Sequence, residues 1–126
     1  MTLPPALRNR YNAQVGAAAE LAFIRELARR NPNADIWSVG ANSSARHNKD
    51  VWGLWDVLAS TYSGLIVAQV KATATQPRPD QLWMTRYLAW PHAETTRCLL
   101  AWLMPTGQWS VRLLDREGRM EDAGWG

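Results

Sequence analysis

A short apolar run, Leu65, Ile66, Val67 and Ala68, passes directly into Gln69, Val70 and Lys71, and this segment constrains the fold more than any other in the chain. Read as a strand with two-residue periodicity, it puts Gln69 and Lys71 on one face, so that an amide and an ammonium project where the pattern calls for core. Lys71 is one of only two lysines in the 126 residues. Polar groups at such positions need partners, and three other segments offer them.

The first lies just upstream. Asp56 to Ala59 reads as a short strand, and Thr61 to Gly64 supplies the turn residues that precede the second run. Strands joined this closely pair as an antiparallel hairpin, which brings Asp56 at the start of one near Gln69 and Lys71 at the end of the other. Asp50 competes with Asp56, but only Asp56 directly precedes the apolar run. The second segment is Asn12 to Arg30, free of proline and rich in Ala, Leu, Glu and Arg, which predicts a helix ending before Asn31 and Pro32. With Ala19 at zero and about 100° per residue, Phe23, Leu27, Ile24, Ala28 and Leu21 fall between roughly 40° and 200°. Arg25, Glu26 and Arg29 mark the wet face. Glu20, at about 100°, lands in the middle of the apolar stripe, where an ionised carboxylate costs several kcal/mol unless paired or bound to a metal. Each residue taken alone has an ordinary reading: a snorkelling lysine, a turn-forming aspartate, a glutamate paired with an arginine. Their coincidence favours a site.

A helix with an inward Glu, a strand opened by Asp and a hairpin strand ending in x-Lys together resemble the PD-(D/E)xK nuclease superfamily. Within it the chain is most similar to archaeal-type Holliday junction resolvases. The matching pieces are Gly16 to Glu20, the Ser/basic loop Asn42 to Lys49, Asp56 to Ala59 and Val67 to Lys71, and the resemblance runs from about Arg8 to Asp115. It implies an α/β fold with a restriction-endonuclease-like core, a central mixed five-stranded sheet flanked by helices in the order α-β-β-β-α-β-β. It also implies a homodimer with two sites, a match for the two-fold symmetry of a four-way junction.

The same resemblance implies a Mg²⁺ site, with Mn²⁺ a plausible substitute. Asp56 is its principal ligand, Gln69 and the backbone carbonyl of Val70 complete the protein side, and Glu20 binds directly or through water. Lys71 orients the attacking water or stabilises charge on the phosphate. Phosphodiester hydrolysis needs an activated water and a counter-charge, and a hard cation with oxygen ligands and open positions supplies both. The chain departs from the family in carrying Gln69 where most members have Glu. That removes one negative charge and predicts weaker metal binding. DNA contacts are expected from Arg8 and Arg10, from Ser43, Ser44, Arg46, His47 and Lys49 in the loop, and from Arg78. Restriction-like or repair nucleases, and a noncatalytic nucleic-acid-binding module on the same fold, are the alternatives.

Length allows one domain, 1–126, with a flexible N-terminal arm at 1–11 and a loose tail at 116–126 as further expectations. A formal charge of +3 and a pI near 9.5 point toward a polyanion. No apolar stretch reaches the roughly 18 residues of a membrane span and no signal pattern opens the chain, so a cytoplasmic protein without membrane contact is expected. Cys98, the single cysteine, excludes an internal disulfide. No Cys/His cluster or Gly-rich phosphate loop is present, which argues against a zinc site and nucleotide hydrolysis.

Downstream, Thr73 to Pro79 is a polar connector, and Asp80 caps a helix running to Trp90. Arg97 to Met104 and Trp109 to Leu114 form a second hairpin about Pro105 to Gln108. A first strand is expected near Ala34 to Val39. Eight tryptophans exceed what one small core readily absorbs, and some are available for a subunit interface.

Overall fold

The computed structural model describes the backbone of residues 5–39 and 50–125, and the side chains of residues 15–39 and 50–125. Helix α1 (Pro5–Arg30) is followed by β1 (Asp35–Ser38), β2 (Val57–Thr61) and β3 (Gly64–Lys71). Helix α2 (Gln81–Ala89), β4 (Arg97–Leu103), β5 (Trp109–Leu114) and β6 (Met120–Asp122) complete the chain. All six strands join one mixed sheet in sequential order. Every pairing is antiparallel except β3 with β4, whose parallel alignment requires the crossover that α2 provides. Among the described residues, no helix is long and apolar enough to cross a membrane.

The expected β2–β3 hairpin is present, with Val57 opposite Ala68 and Thr61 opposite Gly64. Its turn needs Gly64, which sits at φ +130 with the carbonyl oxygen of Thr95 only 2.8 Å from where a Cβ would lie. Because β3 is central, both its faces are covered, and its residues alternate between two apolar layers. Ile66, Ala68 and Val70 face Phe23 and Leu27 of α1, while Val67 faces Trp83 and Tyr87 of α2. Asp80 caps α2 as expected, its carboxylate accepting the Trp83 N–H at 2.8 Å. Cys98 lies in the α2 layer, and burial pushes its thiol up to about 11, so it stays protonated.

Three expectations need correction. The helix begins at Pro5, not Asn12, because proline is compatible with the first helical turn, so residues 5–11 belong to α1. Its buried stripe is rotated from the expected one: Ala19, Phe23 and Leu27 are its fully buried members, whereas Leu21 and Ala28 are exposed. Glu20 therefore stands at the rim of the stripe, half-buried. The sheet also has six strands instead of five, because the segment after Asp115 folds back. Asp115 accepts the N–H groups of Glu117 and Arg119 with one carboxylate oxygen, and Gly118 at φ +83 closes the turn into β6.

Beyond β6, Trp125 stacks on Phe23 with ring centroids 5.2 Å apart, and the Arg30 guanidinium lies 4.5 Å above the same indole. The tail thus seals one end of the α1 layer. Trp125→Ala is expected to lower the unfolding free energy by about 2 kcal/mol, read as a lower urea midpoint at unchanged m-value. A variant with the midpoint of the unmodified protein would mean that the tail is dispensable.

Candidate active site

Val51 and Trp55 form a small antiparallel bridge, the Val51 N–H donating to the Trp55 carbonyl at 2.8 Å and the Trp55 N–H to the Val51 carbonyl at 3.1 Å. Continuing that register outward sets Asp50 opposite Asp56. The turn between them holds Trp52 at φ +55 and Gly53 at φ +70. A bulky side chain in the left-handed region is strained, and packing compensates. The Trp52 ring lies 5.4 Å from Trp90, while the fully buried Trp55 meets Trp83, Tyr87 and Trp90 at 5.4 to 5.9 Å. The Trp83 indole N–H also donates to the Leu54 carbonyl at 3.3 Å. A Cβ on Gly53 would meet the Arg86 guanidinium at 2.7 Å. Helix α2 thereby clamps the turn that holds the two aspartates together.

Asp56 ends the β2–β3 ladder with its side chain. Its N–H goes to the Ala68 carbonyl, its carbonyl accepts from Val39, and its Oδ2 accepts the Val70 N–H at 2.8 Å. In an extended strand a residue's N–H and C=O point to the same side, so the Val70 carbonyl faces Asp56 as well. The β2–β3 register sets Asp56 beside Gln69, which is 9 % exposed, and Lys71 follows, exposed at the strand end. Asp56, Gln69, Val70 and Lys71 thus share one end of the sheet.

Burial is the largest cause that raises the Asp56 carboxyl from the ordinary carboxylate range to about 8. Its hydrogen bond to Asp50 comes next, and the charges of Asp50 and Glu20 add to it, opposed by the Val70 N–H. Facing carboxylates in a half-buried place share a proton or a cation. Glu20 contributes through its charge, with Oε1 shut off from solvent. Among the described residues, no three Asp, Glu, His or Cys side chains gather into a metal site by themselves. The donor set that fits a hard cation is therefore Asp50 and Asp56, with the carbonyls of Gln69 and Val70 as neutral ligands. Asp50 sets a second carboxylate beside Asp56 and Gln69, a pairing missed in the strand pattern because it depends on the tight 51–55 turn.

Of the expected DNA contacts, Arg78 sits exposed between Pro77 and Pro79. Arg8 and Arg10 fall within α1, but their side chains lie outside the described residues, as do Ser43, Ser44, Arg46, His47 and Lys49. The chain matches no family model, no curated protein and no solved structure.

The raised Asp56 pKa fixes a pH dependence. Between about 4 and 8 the unfolded chain releases a proton that the native protein keeps. In metal-free buffer, stability should therefore be greatest below pH 4 as far as this group is concerned, and should be lost as pH rises through 8. Asp56→Asn removes the effect and should raise the melting temperature at pH 8 by about 4 °C for each kcal/mol relieved. Parallel melting curves for the two proteins from pH 5 to 8.5 would contradict it.

Proposed function

We propose that the chain is a divalent-metal-dependent DNA endonuclease with a restriction-endonuclease-like core of the PD-(D/E)xK kind, acting as a homodimer on four-way junctions. The observation that carries this reading is the Asp50–Asp56 carboxylate pair beside Gln69 and Val70, with Lys71 two residues beyond Gln69 on the same strand. The arrangement of α1 against an antiparallel β1–β2–β3 unit, followed by a helical crossover to a parallel strand, agrees with it.

Within that reading Mg²⁺, or Mn²⁺ in its place, supplies an activated water and charge neutralisation on the phosphate. Asp50 and Asp56 hold it, helped by the Gln69 and Val70 carbonyls. The Val70 N–H keeps the Asp56 carboxylate turned toward the sheet end. Lys71 stands exposed at the end of β3 and offers a compact ammonium to a phosphate oxygen or to the attacking water. Glu20 keeps the local potential negative, which favours cation entry. Two such sites in a symmetric dimer would cut opposing strands of a two-fold symmetric junction. A cytoplasmic location is part of the same reading.

Incubation of a labelled four-way junction and its matched duplex with the protein, in Mg²⁺ and in EDTA, tests this. Paired nicks in the junction alone, only with metal, are the expected result. Asp56→Ala and Asp50→Ala should each slow cleavage on the order of 10³-fold while junction binding persists, since each removes several kcal/mol of charge stabilisation. Gln69→Glu, by adding a carboxylate, should lower the Mg²⁺ concentration needed for half-maximal rate by about tenfold. Cleavage of duplex and junction alike would move the assignment to a repair or restriction-like nuclease. Junction binding without cleavage in either metal would leave a noncatalytic module.

A further inference from the structure

Across the sheet from Asp56, a second group of charges converges on one small cavity. The pairing registers align Gln69 with Leu100 and Leu100 with Arg112, and in the next row Lys71 with Trp102. Residues paired in register share a face, so Gln69 and Arg112 stand on the same side with one strand between them. Over them the Thr73–Pro79 connector is tied down at two points. The Trp102 indole N–H donates to the Thr73 carbonyl at 3.0 Å, and Arg112 Nη2 donates to the Pro77 carbonyl at 3.0 Å. The cavity beneath it, of about 40 Å³ and open to solvent on one side, is lined by Gln69, Lys71, Arg78, Trp102 and Arg112 among others. At roughly 10–15 Å³ for each water, it has room for a group of about three oxygens.

Three cations border this cavity, and among the described residues none is ion-paired with a carboxylate. Burial, and then the charge of Arg78, lower the proton affinity of the Arg112 guanidinium. Positive charge is thus concentrated with no paired carboxylate among the described residues, on a guanidinium already held by its hydrogen bond to the Pro77 carbonyl. Planar guanidinium groups suit oxyanions, and a fixed one loses less freedom on binding. The walls are equally suited: Trp102 and the two prolines supply apolar surface, and the Gln69 amide can donate.

We propose that this cavity, centred on Arg112 and Arg78, binds a backbone phosphate of DNA flanking the one that is cut. Lys71 lines the cavity and follows Gln69, the cross-strand neighbour of Asp56, by two residues on β3. The assignment of the anion to DNA rests on the nuclease reading; the oxyanion pocket itself does not. Arg112 would act by positioning the strand, without touching the reacting atoms.

Two measurements test it. Inorganic phosphate titrated against the intact protein at constant ionic strength should saturably shift the Arg112 Nε–H and Trp102 Nε1–H nuclear resonances, whereas chloride should not. Arg112→Gln should abolish the Trp102 shift. In an Asp56→Ala background, Arg112→Gln and the exposed Arg78→Gln should each weaken junction binding about tenfold, with the slope of log affinity against log salt smaller by about 0.9 per lost phosphate contact. Phosphate that acts no differently from chloride overturns the pocket. Unchanged affinity and salt slope in both folded arginine variants overturns its role on DNA, even if the protein cleaves. A phosphate-dependent shift in a protein that binds no DNA upholds the pocket and overturns the nuclease reading instead.

Discussion

Two carboxylates held face to face across a single β-bridge organise this end of the molecule. Asp50 and Asp56 are brought together because the Val51–Trp55 bridge closes a turn in which Trp52 and Gly53 both take positive φ. Ionising both would set two charges together where solvent screens them poorly, so Asp56, largely enclosed, keeps its proton up to about 8, burial being the first cause and Asp50 the second. Stability elsewhere must hold the turn in place. Trp83, Tyr87 and Trp90 do so from the α2 side: Trp55 meets Trp83 and Tyr87 edge-to-face and Trp90 at a tilt, and Trp83 stacks on Tyr87, contacts that add to the burial of large rings. Much of the tryptophan content is thereby explained within one chain. The cost of a strained turn that gathers two acidic side chains is typical of a place kept for binding rather than for stability.

The same sheet that ends in this acidic pair carries the basic cavity one strand further on. Gln69 belongs to both, lying beside Asp56 through the β2–β3 register and beside Leu100 and Arg112 through β4 and β5. Negative and positive places on adjacent strands form a surface that can receive a cation and an extended polyanion together. A phosphodiester backbone has that requirement, because its charges repeat along the strand.

Much of the scaffold could be read from local chemistry. The β2–β3 hairpin followed from Gly64 and the two apolar runs, α2 from Asp80 and the proline after Trp90, and β5 from the turn around Gly107. These signals act over a few residues. Longer-range facts escaped. The rotation of the α1 stripe is decided by Trp109 and Trp125 packing on Phe23, from the far end of the chain. Strand β6 depends on the Asp115 carboxylate gathering two N–H groups, in a stretch whose charge suggested disorder. For the site, Asp56, Gln69 and Lys71 follow from strand periodicity, but Asp50 required knowing that a tryptophan adopts positive φ. Arg112 likewise had no signal of its own, since its place is set by register across β4 and by the connector above it.

The proton that Asp56 keeps beside Asp50 is the claim on which the account rests, and calorimetry of Mg²⁺ binding reads it directly. Titrations at pH 7 in two buffers of different ionisation enthalpy give the number of protons released per ion bound. Because the Asp56 carboxyl lies near 8, release of close to one proton is predicted. Asp50→Asn, which removes the second carboxylate, should weaken binding and reduce that release, leaving the part that burial of Asp56 causes. Binding with no proton release, unaffected by Asp50→Asn, would contradict the paired site.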